Sequence, residues 1–175
     1  MEFVLGHQRN NLLLRQSTGR WQVAPARLEF LRKVDAKAHH LERMAAGSHL
    51  FLDTDSYSAH STALDALWAG VPLLTFPGAS FASRAPASFL AALDMPHLIA
   101  QNIGEYEAVA ERLVLSPAAL RAWRQRLWQR RLDPALLFNE ARTCRDMLVA
   151  FKILWDLSVA LGNARRLHVL VSRGV

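Results

Sequence analysis

The strongest constraint on this chain is an alternation within its first hundred residues. Short apolar runs, each closed by glycine, proline or a polar cluster, take turns with segments of helix-forming residues. Leu28-Glu29-Phe30-Leu31 reads as a strand, and Ala36 to Ala46 as a helix ended by Gly47. Leu50-Phe51-Leu52, just before Asp53-Thr54, has the texture of a strand buried on both faces. Ser61 to Ala69 follows as a helix stopped by Gly70, and Pro72 to Phe76 as a strand stopped by Pro77-Gly78. Residues 81–93 read as a third helix, with Pro86 confined to its first turn or kinking it. Strand and helix alternating with short connections predict a parallel α/β sheet.

After Pro96 the texture changes. Residues 104–115, 117–131 and 139–161 read as three successive helices, punctuated by Pro117 and Pro134. The first 25 residues are the least organised; Leu12-Leu13-Leu14 fits a short strand, but Gln16 to Arg20 is loop chemistry. The expected division is a loosely patterned segment over 1–26, an α/β domain over 27–103, helices over 104–161 packing on it, and a tail over 162–175. At 175 residues the chain is one domain's worth, long enough to bury a core.

Composition narrows the class. Cys144 stands alone, which excludes a disulfide scaffold and a cysteine metal cluster. No apolar run approaches the ~18 residues that span a bilayer, and Met1 to Val4 begins no signal-peptide pattern, so no membrane association and a cytoplasmic location are expected. The net charge of +6 is uneven: +4 over residues 1–50, −3 over 51–100 and +5 over 101–175. The most basic stretch is Arg121 to Arg131, with Trp123 and Trp128 interleaved. Arginine with tryptophan can grip nucleic acid, but at helical spacing Leu120, Trp123, Leu127 and Arg131 form one stripe. The plain reading is a core-facing stripe with a solvated basic face, and nucleic acid is not an expected partner.

Chemistry concentrates between Phe51 and Arg84. In open parallel sheets ligands bind beyond the carboxyl ends of strands, where loops enter helix N-termini. The loop 54–60 leaves such a strand end and meets His60-Ser61-Thr62 at a helix start. Unpaired N–H groups and the helix dipole favour phosphate there, and both hydroxyls can donate to it. Asp65, one turn along the same face, can accept from ribose hydroxyls. The bland alternative is an ordinary N-cap by Ser61 or Thr62, with Asp65 a first-turn acid.

The same residues carry a family resemblance. Phe51-Leu52-Asp53-Thr54, His60-Ser61-Thr62, Asp65-Ala66-Leu67-Trp68-Ala69-Gly70, Pro72, Thr75, Pro77-Gly78 and Phe81-Ala82-Ser83-Arg84 closely resemble the C-terminal catalytic region of protein O-GlcNAc transferases. The related Spindly-type O-fucosyltransferases share the pattern. The likeness runs from about Arg27 to Trp155. It implies a Rossmann-like parallel sheet, the C-terminal half of a glycosyltransferase-B fold, with a helical extension. It also implies transfer of GlcNAc from UDP-GlcNAc to Ser or Thr of proteins.

Carried over by position, the resemblance makes His60, Ser61 and Thr62 line the donor diphosphate and Asp65 hold the ribose. A Lys-x-x-His precedes the F-L-D-T strand in the family, and Lys37-Ala38-His39-His40 fits it. Lys37 and His40 are then nucleoside contacts, with His39 the competitor to His40 and a solvated helix face the alternative for Lys37. Ser61 replaces the family's usual Thr, Ser58 its common Asn, and His49 an Asp. No cofactor or metal is implied, only a UDP-sugar donor, with a GDP-sugar the open alternative. The catalytic base and acceptor side belong to an N-terminal half and tetratricopeptide repeats that this sequence lacks. The expectation is therefore a donor-binding half that binds nucleotide weakly and does not transfer sugar alone. The competing expectation is a non-catalytic nucleotide-binding or interaction module of the same descent.

Overall fold

A computed structural model describes residues 3–4, 24–32, 34–133 and 137–161. The Leu12 to Leu14 run and the 162–175 tail lie outside these residues. In chain order the elements are β1 (Phe3–Val4), β2 (Leu28–Glu29), α1 (Lys37–Gly47), β3 (Phe51–Leu52), α2 (Ser61–Trp68), β4 (Leu73–Leu74) and α3 (Ala85–Ala92). Three further helices follow: α4 (Ile103–Leu115), α5 (Pro117–Arg131) and α6 (Glu140–Leu161). This is the anticipated α/β unit with a helical extension.

The strands pair in parallel, but regular pairing is short. β1 lies beside β2, and β3 beside β4 with Phe51 opposite Leu73 and Leu52 opposite Leu74. Thr75 extends β4 by a parallel bridge to Ile99, so the order across this region is β3, β4, then residue 99. Helices α2 and α3 are the crossovers that parallel neighbours require. Phe3–Val4, inside a segment expected to be loosely organised, is instead a strand partner for Leu28–Glu29. A two-residue non-local pairing leaves no periodicity in the sequence to detect.

The helix expected over 81–93 is split. Phe81–Ser83 is a single 3-10 turn, and α3 begins only at Ala85, with Pro86 at its second position. There the missing N–H and fixed φ of proline are tolerated. The proline sets the start of the helix and does not kink it.

Packing centres on β4 and α2. Leu73 and Leu74 of β4 are fully buried. On α2, Ala63, Ala66 and Leu67 recur at the helical spacing and are also fully buried, while Ser61, Thr62 and Trp68 stay exposed. Leu90, Leu93, Met95 and Leu98 close the cluster from the α3 side, and Val109, Leu113 and Leu127 from α4 and α5. Helix α2 ends in a paired C-terminal motif: Gly70 N–H donates to Leu67 O (3.1 Å) and Val71 N–H to Ala66 O (2.8 Å). That geometry needs a left-handed residue, supplied by Gly70 at φ 76°. A Cβ on Gly70 would also sit 2.5 Å from Trp128 Nε1, so α5 packs close over this turn.

Helix α5 turns the expected stripe inward, with Leu127 fully buried and Leu120, Trp123 and Arg131 half-buried. Arg131 of the stripe and Arg124, Arg126 and Arg130, expected on a solvated face, all have specific partners. Arg124 donates to Ala45 O and Ser48 O at the end of α1. Arg131 donates to Trp68 O at the end of α2 and lies over the Trp128 ring, 3.3 Å from its centroid. Arg126 and Arg130 reach Asp94 in the turn after α3. Guanidinium groups thus meet carbonyls at the C-terminal ends of two helices, where the dipole favours positive charge. Burial lowers the pKa of Arg131 from its usual value.

Candidate functional site

The site is built on the loop between β3 and α2. Its foundation is Asp53, buried at the end of β3. One carboxylate oxygen accepts the Thr75 hydroxyl (2.7 Å) and the other accepts Ala59 N–H (2.8 Å). The Asp53 carbonyl accepts the Tyr106 hydroxyl at 2.8 Å. Burial, and secondarily the Asp53 charge, pushes the Tyr106 phenol up to about 12, so it stays a donor through the physiological range.

Above this foundation the loop is pinned to the Phe81–Ser83 turn. Ser58 N–H (2.9 Å), Ser58 Oγ (2.8 Å) and His60 Nε2 (3.2 Å) all converge on the Ala82 carbonyl. The Thr54 hydroxyl donates to Tyr57 O at 2.9 Å, closing the loop's first turn. Ser58 is fully buried and therefore serves as a latch between two loops. Gly78 fits against the same latch: a Cβ there would lie 2.6 Å from Ser83 Oγ and 3.2 Å from Asp55 O. Neither role is legible in the sequence, because the Asp53 carboxylate meets Ala59 N–H and the Thr75 hydroxyl, and Ser58 meets a backbone carbonyl, all brought together only by the fold.

His60 stands at the N-cap of α2, and its side chain makes no capping bond. Ser61 and Thr62 occupy the first two helical positions and are exposed, and their hydroxyls make no hydrogen bond to a described residue. The ordinary N-cap reading of these hydroxyls is therefore not what the structure shows. The first turn of α2 thus starts with no side-chain cap on its N–H groups.

Helix α1 packs beside α2 and brings the Lys-x-x-His segment to Asp65. Lys37 Nζ pairs with Asp65 Oδ1, and His40 Nε2 lies 3.7 Å from Asp65 Oδ2. Asp65 is mostly covered, whereas Lys37 is largely exposed. A pair so exposed on one side contributes at most about 1 kcal/mol to stability. His39, one residue earlier, is exposed and does not reach Asp65. The result is a strip along α2: Lys37, His40 and Asp65 at one end, the open helix start with Ser61 and Thr62 in the middle, and His60 at the other end.

Comparisons with known proteins show the family. Residues 9–147 match the model of glycosyl transferase family 41. The chain belongs to that family. It is 35% identical over 131 residues to a UDP-N-acetylglucosamine--peptide N-acetylglucosaminyltransferase of Caenorhabditis elegans, covering 75% of this chain and 11% of the relative. A probable UDP-N-acetylglucosamine--peptide N-acetylglucosaminyltransferase SEC of Arabidopsis thaliana is 32% identical over 138 residues, covering 78% of this chain and 14% of that protein. The K341M mutant of the Thermobaculum terrenum O-GlcNAc transferase has a similar structure, with a TM-score of 0.78 at 26% identity. That match covers 87% of this chain and 30% of the other. The family 41 chain described here thus spans a small part of the relatives it matches. Among the described residues, no three His, Cys, Asp or Glu side chains gather as metal ligands, and no helix is long and apolar enough to cross a membrane.

Proposed function

We propose that this chain carries the nucleotide-sugar-binding side of a protein O-glycosyltransferase site, with a UDP-sugar as donor. The observation that carries the proposal is the convergence of Lys37, His40 and Asp65 beside an uncapped helix start bearing two free hydroxyls. Phosphate oxygens accept from the first-turn N–H groups of α2 and from Ser61 and Thr62, with the helix dipole adding attraction. Asp65 accepts the ribose hydroxyls. Lys37, held beside it, reaches ribose or phosphate oxygens, and the His40 imidazole offers a flat face to the base. Stabilising the departing diphosphate in this way is the electrostatic part of sugar transfer.

The acceptor hydroxyl and the group that deprotonates it belong, on this reading, to polypeptide other than these 175 residues, as does the surface that holds the protein acceptor. The chain by itself then binds donor and does not transfer sugar. Calorimetry with UDP, GDP and an unrelated nucleotide tests the proposal. UDP is expected to bind, and Asp65→Ala to weaken it at least about tenfold, the loss for a hydrogen bond to a charged group, while circular dichroism stays unchanged. Silence toward both UDP and GDP at millimolar concentration would overturn it and favour an interaction module derived from the family.

A further inference from the structure

Tyr106 belongs to α4, in the helical extension, yet its hydroxyl reaches the end of β3 from 53 positions away. Its helix is firmly placed. Asn102 caps α4 by accepting Glu105 N–H at 3.0 Å, and the Glu105 carboxylate reaches back to Gln101 N–H at 2.7 Å. Val109 and Leu113, at helical spacing from Tyr106, are buried in the core. The Tyr106 ring rests against Phe76, with centroids 5.0 Å apart. The segment leading into α4 is tied to the neighbouring strand, because Ala100 N–H donates to Thr75 O at 2.8 Å. The hydroxyl is therefore delivered to the Asp53 carbonyl by a fixed ring on an anchored helix.

We propose that Tyr106 is a positioning residue for the donor site, acting through Asp53 on the first turn of α2. The proposal rests on the donor-site reading above and concerns a side chain that touches no donor atom. Asp53 works as a clamp with two ends. Tyr106 holds its carbonyl at 2.8 Å, while its buried carboxylate accepts the Thr75 hydroxyl and Ala59 N–H. Ala59 immediately precedes His60, the N-cap of α2. The place of Asp53 therefore sets where the helix begins, and with it the places of Ser61 and Thr62. Only Thr75 and Tyr106 hold this clamp from outside the loop, one from the adjacent strand and one from α4. Removing the hydroxyl leaves the Asp53 carbonyl without that donor, so the strand end and the loop open more often. A ligand that needs the closed loop is then weakened in proportion to the closed fraction, with every group that touches it unchanged.

Tyr106→Phe keeps the ring against Phe76 and deletes only the hydroxyl. Amide hydrogen exchange at Ala59 and Val71, with UDP titration of the 175-residue chain and the variant, tests the assignment. Ala59 N–H is expected to exchange roughly three- to tenfold faster in the variant, the scale of one hydrogen bond. UDP is expected to bind at least about twofold more weakly. Val71 N–H, bonded to Ala66 O in the core, is expected to change by less than about twofold. That contrast separates positioning from a general loss of stability, which speeds both amides alike. Equal acceleration at both amides, no change at Ala59, or undiminished UDP binding by the variant would each overturn the assignment and leave the donor site standing. Failure of the unaltered chain to bind UDP would bring down the donor site and this proposal with it.

Discussion

Helices α2 and α6 use apolar residues in opposite ways. The eight residues of α2 bury Ala63, Ala66 and Leu67 completely. The twenty-two residues of α6 bury none. Its half-buried positions recur every fourth residue, at Arg142, Asp146, Ala150, Leu154 and Ser158. Met147, Leu148, Phe151, Trp155 and Val159 are all more than half exposed. A short helix is marginal by itself and exists because the core holds it. A long one can draw on its own hydrogen bonds and on pairs such as Lys152 with Asp156, at 2.9 Å. Length thus says little about which helix anchors the fold, and the site sits on the anchored one.

The sharpest way to break this comparison is at its buried end. Leu67→Ala is expected to cost about 3 kcal/mol, the usual range for a large-to-small change in a closed core, read from denaturant unfolding. A loss below about 1 kcal/mol would mean that α2 is not the anchor. One step smaller is Asp53→Ala, which strands the Thr75 hydroxyl and Ala59 N–H inside the protein. It is expected to cost about 2 kcal/mol, with the same measurement. At the other end, Trp155→Ser on α6 is expected to shift stability by no more than about 0.5 kcal/mol, as for an exposed surface position. A Trp155 loss comparable to that of Leu67 would erase the distinction between the helices.

Much of the fold was legible because its strands and helices end at residues with a local mechanism. Gly70 closes α2 by adopting the left-handed conformation, and Pro117 opens α5 where its missing N–H is harmless. The inward stripe of α5 followed from spacing alone. Other features depend on partners distant in sequence and left no local trace. Phe3–Val4 pairs with Leu28–Glu29, and the α5 arginines find carbonyls more than sixty residues away in α1 and α2.

The candidate site divides in the same manner. Ser61, Thr62 and Asp65 lie within one helical turn, so their common face could be read from spacing. Lys37 meets Asp65 across 28 residues, and only the family resemblance connected them beforehand. Ser58 stands where the family commonly has Asn, and its hydroxyl is spent on Ala82 O. Nothing in its neighbours along the chain could have shown that, because the partner is a backbone carbonyl 24 positions away.

The arginines of α5 have one more consequence. Because one helix holds the end of α1, the end of α2 and the turn after α3, these three ends cannot fray independently without α5 letting go. Folding of α1 and α2 is therefore thermodynamically coupled to α5. Damage at α5 would propagate to Lys37 and Asp65 through lost cooperativity, with no change in those residues themselves.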